Sequence, residues 1–337
     1  MYEFLNDLRD SFLQDSLRYL PIPQVAIMSG MVFGDTTLFT ESMKYSFKVI
    51  GIQHLVAASG SNVGIVLSIA RGFISRFYVP VAALIFLSLV LSFYVEVAGA
   101  EVPLLRAAIM ASLSMTAHLR FRRQYHPLWA LVVCGLLLFV IQPAVVEGLG
   151  FQLSFLATLG LILVSPVLGT LSSISSVEVT ATPTVGSQNI AARILKEGKS
   201  VFVLTIIAQL FTAPLLLYNF SEVSWISLIA NPPLVMVGEA LTVSGMYAFV
   251  LYGLAKLSGL LAVFTPVVMT PQLVIGSIFE TLMKVFDRGE GGMITIGGEI
   301  PLVWLILWYV TMLGAVQFVK QKHQRKLRLK FGLSVWP

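Results

Sequence analysis

Residues 200–219 read Ser200-Val-Phe-Val-Leu-Thr-Ile-Ile-Ala-Gln-Leu-Phe-Thr-Ala-Pro-Leu-Leu-Leu-Tyr-Asn219, without one charged side chain. A helix needs about 20 mostly apolar residues to cross a membrane, because the hydrocarbon core of a bilayer is about 30 Å thick. Backbone N–H and C=O groups find no water at that depth, so a helix must satisfy them internally. This run therefore predicts a transmembrane helix.

The composition of the whole chain agrees with that run. Of its 337 residues, 57% are hydrophobic and 12% are charged, and the mean hydropathy is +0.87. Water-soluble domains carry roughly 25% charged residues, and geometry limits how much apolar surface a domain can bury. The composition excludes an ordinary soluble protein and predicts an all-α, polytopic integral membrane bundle.

About ten segments satisfy the length of a membrane helix. Clear segments lie near residues 78–99, 102–119, 127–142, 148–168, 200–219, 225–252, 258–283 and 300–319. Weaker segments near 21–38 and 54–71 are short and interrupted by glycines. We expect these two to be half-helices or re-entrant segments, sheltered by protein or lining a water-filled cavity.

Three regions flank or interrupt this transmembrane domain of residues 21–319. Residues 1–20 predict an interfacial amphipathic helix on the membrane surface, because apolar residues recur every three or four positions opposite Asp and Arg. Residues 169–199 are rich in Ser, Thr and Val and predict a flexible cytoplasmic linker. Residues 320–337 form a basic tail, typical of a cytoplasmic anchor on anionic membrane lipids, with nucleic acid as an alternative partner.

The basic residues predict the orientation, because Lys and Arg in short loops stay on the cytoplasmic side. An even number of crossings places residues 120–126, residues 169–199 and both termini on that side. Glu147 and Glu222 then lie on the opposite side, while Lys284 and Arg288 are exceptions to the pattern.

The stretch Gly51-Ile-Gln-His-Leu-Val-Ala-Ala-Ser-Gly-Ser-Asn-Val-Gly64 combines polar side chains and permissive backbone within a membrane-compatible run. An alternative role is close helix packing, since Gly60 and Gly64 form a small-xxx-small pair, as do Gly30 and Gly34. If the stretch instead lines an aqueous path, its candidate residues are His54, Ser59, Gly60, Ser61, Asn62 and Gly64.

Ionisable residues at membrane depth are costly, so each one marks a candidate site. Arg106 lies a few residues inside a predicted helix. Its alternative role is to snorkel to the outer interface, paired with Glu96 or Glu101.

Glu239 follows the helix-breaking pair Pro232-Pro233 and requires a partner or water. Uncharged polar residues on other helices either complete the lining or bridge helices, at roughly a kcal/mol or less each. They are Gln152, Ser154, Gln209 and Asn231.

No enzyme chemistry is indicated by the sequence. Gly198-Lys199-Ser200 imitates the end of a phosphate-binding loop, but Arg193 stands where the first glycine is required. The four histidines are too scattered for a metal site, and Cys134 is the single cysteine. We therefore expect neither a metal nor a cofactor nor a disulfide.

Several of these segments resemble, in the same order, motifs of the ComEC-type competence proteins. The stretch from Gly51 to Gly64 resembles a signature of that family at His54, Ser59, Gly60 and Gly64. Arg106-Ala107 resembles its intramembrane Arg-Ala pair.

Later motifs extend the resemblance to residues of about 20 to 250. Pro143 with Gly150-Phe-Gln-Leu-Ser-Phe-Leu-Ala157 resembles a further family element, although Glu147 stands near where the family often has Asp. The last element is resembled by Ala208-Gln209, Pro214, Phe220 and Ala230-Asn231.

That resemblance implies an inner-membrane channel that passes single-stranded DNA into the cytoplasm of a bacterium during natural transformation, with both termini cytoplasmic. Its implied partners are single-stranded DNA, membrane lipids, separate nuclease, DNA-binding and cytoplasmic motor proteins, and a second copy of the chain. Family members commonly add an OB-type domain and a metallo-β-lactamase-like domain, and we recognise neither here. No His-x-His-x-Asp-His motif is present, so nuclease activity is not implied.

Two other functions stay open on the residues alone. Arg106, Glu239 and the helix breaks at 59–64 and 231–233 are also compatible with a secondary transporter of a small solute. A scaffold subunit of a split DNA-uptake complex is the other alternative.

Overall fold

The computed structural model describes residues 2–56, 60–74, 80–99, 101–119, 126–168, 190–258, 261–298 and 300–331. Most of these residues are helical, which confirms the all-α fold class. The first ten helices are α1 Tyr2–Ser16, α2 Ile22–Phe33, α3 Glu41–Ile50, α4 Gln53–Val56, α5 Gly60–Ile74, α6 Pro80–Val97, α7 Val102–Leu119, α8 Pro127–Ile141, α9 Ala144–Glu147 and α10 Leu149–Leu168. The last four are α11 Ile190–Phe220, α12 Ser227–Ser258, α13 Leu261–Phe286 and α14 Leu302–Phe331, and two short strands are β1 Glu222–Ser224 and β2 Met293–Thr295.

The lengths of the apolar helices confirm a polytopic membrane protein. Within the described ranges, 5 spans are long and apolar enough to cross a membrane: Gln53–Gly72, Gly198–Phe220, Ser227–Lys256, Thr265–Phe286 and Leu302–Lys322. Shorter apolar helices are Ile22–Phe33, Val81–Val97, Val102–Ala117, Pro127–Ile141 and Leu149–Val164. All the segments predicted from the sequence are represented. Their outward side chains are apolar, as at Val140 and Ile141, which suits lipid as the surrounding solvent.

Helix α2 is short and enclosed by protein, as predicted for the weak segment near 21–38. Every residue from Gln24 to Phe33 is buried, and the helix ends at Gly34 in the left-handed conformation, with φ of 74°. The last carbonyls of a helix lack partners within the helix. Asn62 Nδ2 on α5 donates to Met31 O at 2.6 Å, and Tyr94 Oη on α6 donates to Val32 O at 3.0 Å. These side chains allow α2 to end inside the bundle.

Helix α1 is amphipathic, but its apolar side faces protein at the positions the structure describes. Phe12 is fully buried and meets Phe33, Phe249 and Tyr252 edge to face, at ring-centroid distances of 6.1, 5.5 and 5.3 Å. The sequence pattern predicts that the apolar side of this helix contacts the membrane surface. In the structure, the Phe12 ring on that side packs against α2 and α12 instead. The location of α1 at the membrane surface stays a prediction.

The predicted linker of residues 169–199 needs one correction. Residues 190–199 are helical, because they form the first turns of α11. Residues 169–189 lie outside the described part of the chain. The basic tail predicted from residue 320 is also helical as far as Phe331, where it continues α14.

A small polar cap closes the end of the bundle where α11 turns into α12. Strands β1 and β2 pair antiparallel there, with Val223 opposite Ile294. Helix α3 lies beside them and is tied to the cap by the ion pair from Lys48 Nζ to Glu222 Oε2 at 2.5 Å. Ser224 Oγ also donates to Val49 O at 2.6 Å.

The far end of α12 does not fit the predicted alternation of crossings. Lys256 Nζ donates to Ser11 Oγ at 2.9 Å, so this end lies beside α1. Arg9, two residues from Ser11, lines one cavity together with Gly34 and Glu101. Strict alternation would place Lys256 on the cytoplasmic face and Glu101 on the opposite face.

Candidate functional site

Arg106 is held at the seam between α7 and α10. Its Nε donates to Ser154 Oγ at 2.8 Å, and its Nη1 donates to Thr158 Oγ1. The side chain is half-buried. Because both of these acceptors are neutral hydroxyls, they fix the position of the guanidinium without cancelling its charge.

Gly60 of α5 lies against the same guanidinium. A Cβ built on Gly60 would be 3.8 Å from Arg106 Nη2 and 3.3 Å from Ala107 Cβ. The polar stretch 51–64 and Arg106, two candidates from separate parts of the sequence, therefore come together at Gly60. Ser59 lies outside the described residues, and Ser61 beside Gly60 is exposed.

Sequence reasoning missed Thr158. Residues four apart share a face of a helix, so Ser154 and Thr158 are neighbours on α10. A search for hydroxyls one turn from Ser154 would have found it. Cys134 Sγ on α8 approaches Arg106 O at 3.8 Å, which agrees with a packing role for the single cysteine.

Two residues of the 51–64 stretch do not join this site. Asn62 is buried and its amide donates to the end of α2, so it serves as a helix cap. A Cβ on Gly64 would meet no atom within 4 Å. The close-packing alternative for the Gly60–Gly64 pair is therefore supported at Gly60 and not at Gly64.

Gln152 and Gln209 have local partners. Gln152 Nε2 donates to Glu147 O at 3.1 Å and bridges to the turn before α10. Gln209 Nε2 on α11 donates to Ser227 Oγ, at the start of α12. Both side chains support helix junctions in this structure, and their role in a lining stays a prediction.

His54 and Glu239 lie beside a second contact, between α4 and α12. A Cβ on Gly238 would be 3.0 Å from Leu55 Cδ2, and each of these residues is next in sequence to a candidate. Both His54 and Glu239 are exposed on the protein surface. Asn231 is buried, and its Oδ1 has no hydrogen-bond partner within the part of the chain that the structure describes.

The carboxyl group of Glu101 lies in a cavity that Arg106 does not line. Glu101 lines a cavity of about 570 Å³ between α1, the end of α2 and the α6–α7 turn, which also contains Asp10, Asp35 and Thr37. Burial raises the pKa of the Glu101 carboxyl. The ionisable side chains of this cavity are mostly acidic, so it does not suit a polyanion.

Comparison with known proteins gives one family. The profile of the family described as Competence protein matches residues 31–322. A similar protein is ComE operon protein 3 of Bacillus subtilis (strain 168), which is 26% identical over 231 residues, or 66% of this chain. The match covers 26% of that relative, so this chain spans about a quarter of its length. No solved structure matches the chain.

Proposed function

We propose, because this chain belongs to the competence protein family, that it provides the membrane path for one strand of DNA during natural transformation. The family supplies the context of the proposal. The observation that carries it is a guanidinium held by Ser154 and Thr158 beside Gly60 of α5.

A strand that crosses a bilayer brings one negative phosphate with every nucleotide, so its path requires cationic groups. Charge at membrane depth is costly and is kept where function requires it. Arg106 supplies this charge on a planar fork whose N–H groups suit phosphate oxygens.

The surroundings of Arg106 favour an anion over a cation. Gly60 carries no side chain, and the guanidinium lies beside it. Ser61 adds an exposed hydroxyl next to it.

Weak binding suits passage, because a strand must leave each contact as readily as it arrives. A path with few cationic contacts neutralises few phosphates, so it holds DNA weakly and allows the strand to slide. No nucleotide-hydrolysing motif is recognised in the sequence, so we propose that a separate cytoplasmic motor or capture of the emerging strand supplies the force. The same proposal includes separate nuclease and DNA-binding partners. It also includes a homo-oligomer in the cytoplasmic membrane, with both termini of each chain inside the cell.

A small-solute transporter is the second candidate. It is favoured by Glu239 and by the buried amide of Asn231 on the same helix. The helix break predicted at 231–233 is wrong, since α12 continues from Ser227 to Ser258 through Pro232 and Pro233. Uptake of a small solute by proteoliposomes that single-stranded DNA does not inhibit supports this candidate. A scaffold role instead predicts that the tagged chain copurifies with nuclease and DNA-binding subunits.

Replacement of Arg106 tests the DNA path. Hydrogen bonds to charged groups contribute about 1.5–3 kcal/mol, so we expect Arg106→Ala to lower transformation frequency by roughly tenfold to a hundredfold at normal membrane levels. Arg106→Lys keeps the charge without the planar fork of N–H groups. Its transformation frequency should lie between those of wild type and Arg106→Ala.

Arg18→Ala is the matched control, because Arg18 is an exposed arginine on the segment that follows α1. We expect wild-type transformation from it. Wild-type transformation by Arg106→Ala at normal protein levels contradicts the proposal.

A further inference from the structure

An unusual aromatic pair lies beside the Arg106 site. Phe151 and Phe155 on α10 stack nearly parallel, with ring centroids 4.0 Å apart and an interplanar angle of 21°. Other phenyl pairs in the described structure meet edge to face, as Phe12–Phe33 and Phe33–Phe249 do at 78°. The stacked pair thus presents ring faces along one side of α10.

The aromatic pair and the hydroxyl pair occupy adjacent faces of the same helix. Phe151 and Phe155 are four residues apart, as are Ser154 and Thr158, and the two pairs interleave. With 3.6 residues per turn, their mean directions differ by about 60° around the helix axis. The phenyl rings and the two hydroxyls that hold Arg106 therefore lie on neighbouring faces of the same turns of α10.

The two rings have different surroundings. A Cβ on Gly135 of α8 would be 3.2 Å from Phe155 Cε1, so the Phe155 ring fills a notch in α8. This contact holds Phe155 in place, and Phe155 in turn supports Phe151 through the stack. Phe151 is half-buried.

We propose that Phe151 is a stacking surface for the bases of the strand whose phosphates contact Arg106. This inference rests on the proposed function and assigns separate contacts to the two parts of a nucleotide. Every base has a π-face, so stacking on an aromatic side chain tolerates any sequence and contributes about 1–3 kcal/mol per base. A path for DNA of arbitrary sequence requires this kind of contact.

Binding of matched oligonucleotides separates the two contacts. The full chain in detergent is titrated with a labelled single-stranded oligonucleotide, and with a strand of equal length in which abasic sites replace the bases. We expect the wild-type chain to bind the base-containing strand about tenfold more tightly. Phe151→Leu should abolish that ratio, because leucine offers no ring face on which a base can stack. Arg106→Ala should weaken binding of both strands alike.

A control variant and a second variant at position 151 show whether a change in the ratio comes from the ring face of Phe151. Phe139→Leu removes an exposed phenyl ring from α8 and should keep the wild-type ratio. Phe151→Trp enlarges the stacking face and should raise the ratio or leave it unchanged.

The inference is overturned if Phe151→Leu keeps the full ratio or if Phe151→Trp abolishes it. A wild-type chain that binds neither strand overturns the proposed function as well. Loss of transformation in Arg106→Ala together with an unchanged ratio in Phe151→Leu leaves the proposed function standing and removes only the stacking contact.

Discussion

At the scale of single residues, Gly30 and Gly64 show how similar sequence contexts meet different surroundings. Each belongs to a small-xxx-small pair. A Cβ on Gly30 would be 2.5 Å from Val56 O and 2.6 Å from Phe39 Cζ, whereas a Cβ on Gly64 would meet nothing within 4 Å. The close approach at Gly30 involves a backbone oxygen, which cannot move aside as a flexible side chain can.

We expect Gly30→Ala to destabilise the protein by about 1–3 kcal/mol, because it overpacks a buried contact. Gly64→Ala is the matched control and should be neutral, or slightly stabilising because alanine favours a helix. Thermal unfolding of the purified variants in detergent measures both. Equal midpoints for the two variants would contradict the close approach.

Glu101 carries a pH dependence that follows from its burial. Its pKa is raised above the ordinary value of 4.5, so the folded state binds the proton more firmly than the unfolded state does. For a carboxyl with a raised pKa, stability falls as the pH rises through the window from the ordinary to the raised pKa.

Glu101→Gln stays neutral and should remove this loss. We expect the variant to be more stable than wild type above the raised pKa, and the advantage to vanish in acid. Unfolding midpoints at about pH 4, below the ordinary pKa, and at about pH 7.5 compare the two chains. Glu96→Gln is the control, since Glu96 is an exposed carboxylate on α6. An advantage of Glu101→Gln that is the same at both pH values would refute the assignment.

At the scale of elements, α11 and α14 are joined where a proline interrupts α11. Pro214 has no N–H, so the carbonyl of Leu210 loses its helical partner. Trp308 Nε1 on α14 donates to Leu210 O at 3.1 Å, and Tyr309 Oη donates to Phe211 O at 2.8 Å. Helix α14 thus satisfies a carbonyl that α11 leaves unpaired.

Removal of the indole donor should destabilise the chain only while Pro214 is present. Polar contacts between membrane helices average about 0.6 kcal/mol, with a maximum near 1.7, and we expect a loss in that range for Trp308→Phe. In a Pro214→Ala background the loss should shrink, because the new alanine has a backbone N–H that can donate to the Leu210 carbonyl. The double-mutant cycle is measured by unfolding in detergent.

Trp304→Phe provides the comparison for that cycle, since Trp304 is exposed on the same helix. It should change stability little in either background. A cycle without coupling between Trp308 and Pro214 would argue against the carbonyl contact.

At the scale of the whole molecule, helix α1 contacts both the loop after α2 and the end of α12. A chain that crosses the membrane at every predicted segment would place these two regions on opposite sides. Thr37 and Arg9 line one cavity, and Lys256 donates to Ser11 two residues away. The loop after α2 and the end of α12 therefore both lie beside α1. Strict alternation puts Thr37 outside and Lys256 inside.

Cysteine labelling decides between these two topologies. In a Cys134→Ala background, Thr37→Cys and Lys256→Cys are treated in intact cells with a maleimide that does not cross membranes. We expect both positions to react alike, because both side chains are exposed near α1. Gln124→Cys, in the basic segment 120–126 that the sequence predicts to be cytoplasmic, serves as the reference for that side. Opposite reactivity at positions 37 and 256 would restore strict alternation.

The sequence alone determined that this chain is an all-α membrane bundle, where its apolar segments lie, and that Arg106 and the stretch 51–64 are unusual. These properties are local, because a bilayer selects helices by the length of an uncharged run and makes each charge within it costly. Reading along the chain therefore suffices to find them.

Only the tertiary structure decided which groups meet. Thr158 joins Ser154 at Arg106, Asn62 caps α2, and α1 buries Phe12 against α12. Each of these contacts links positions far apart in the chain, and each depends on how neighbouring helices rotate and cross. Those angles follow from the packing of side chains on several helices at once, which the spacing within any one helix does not contain.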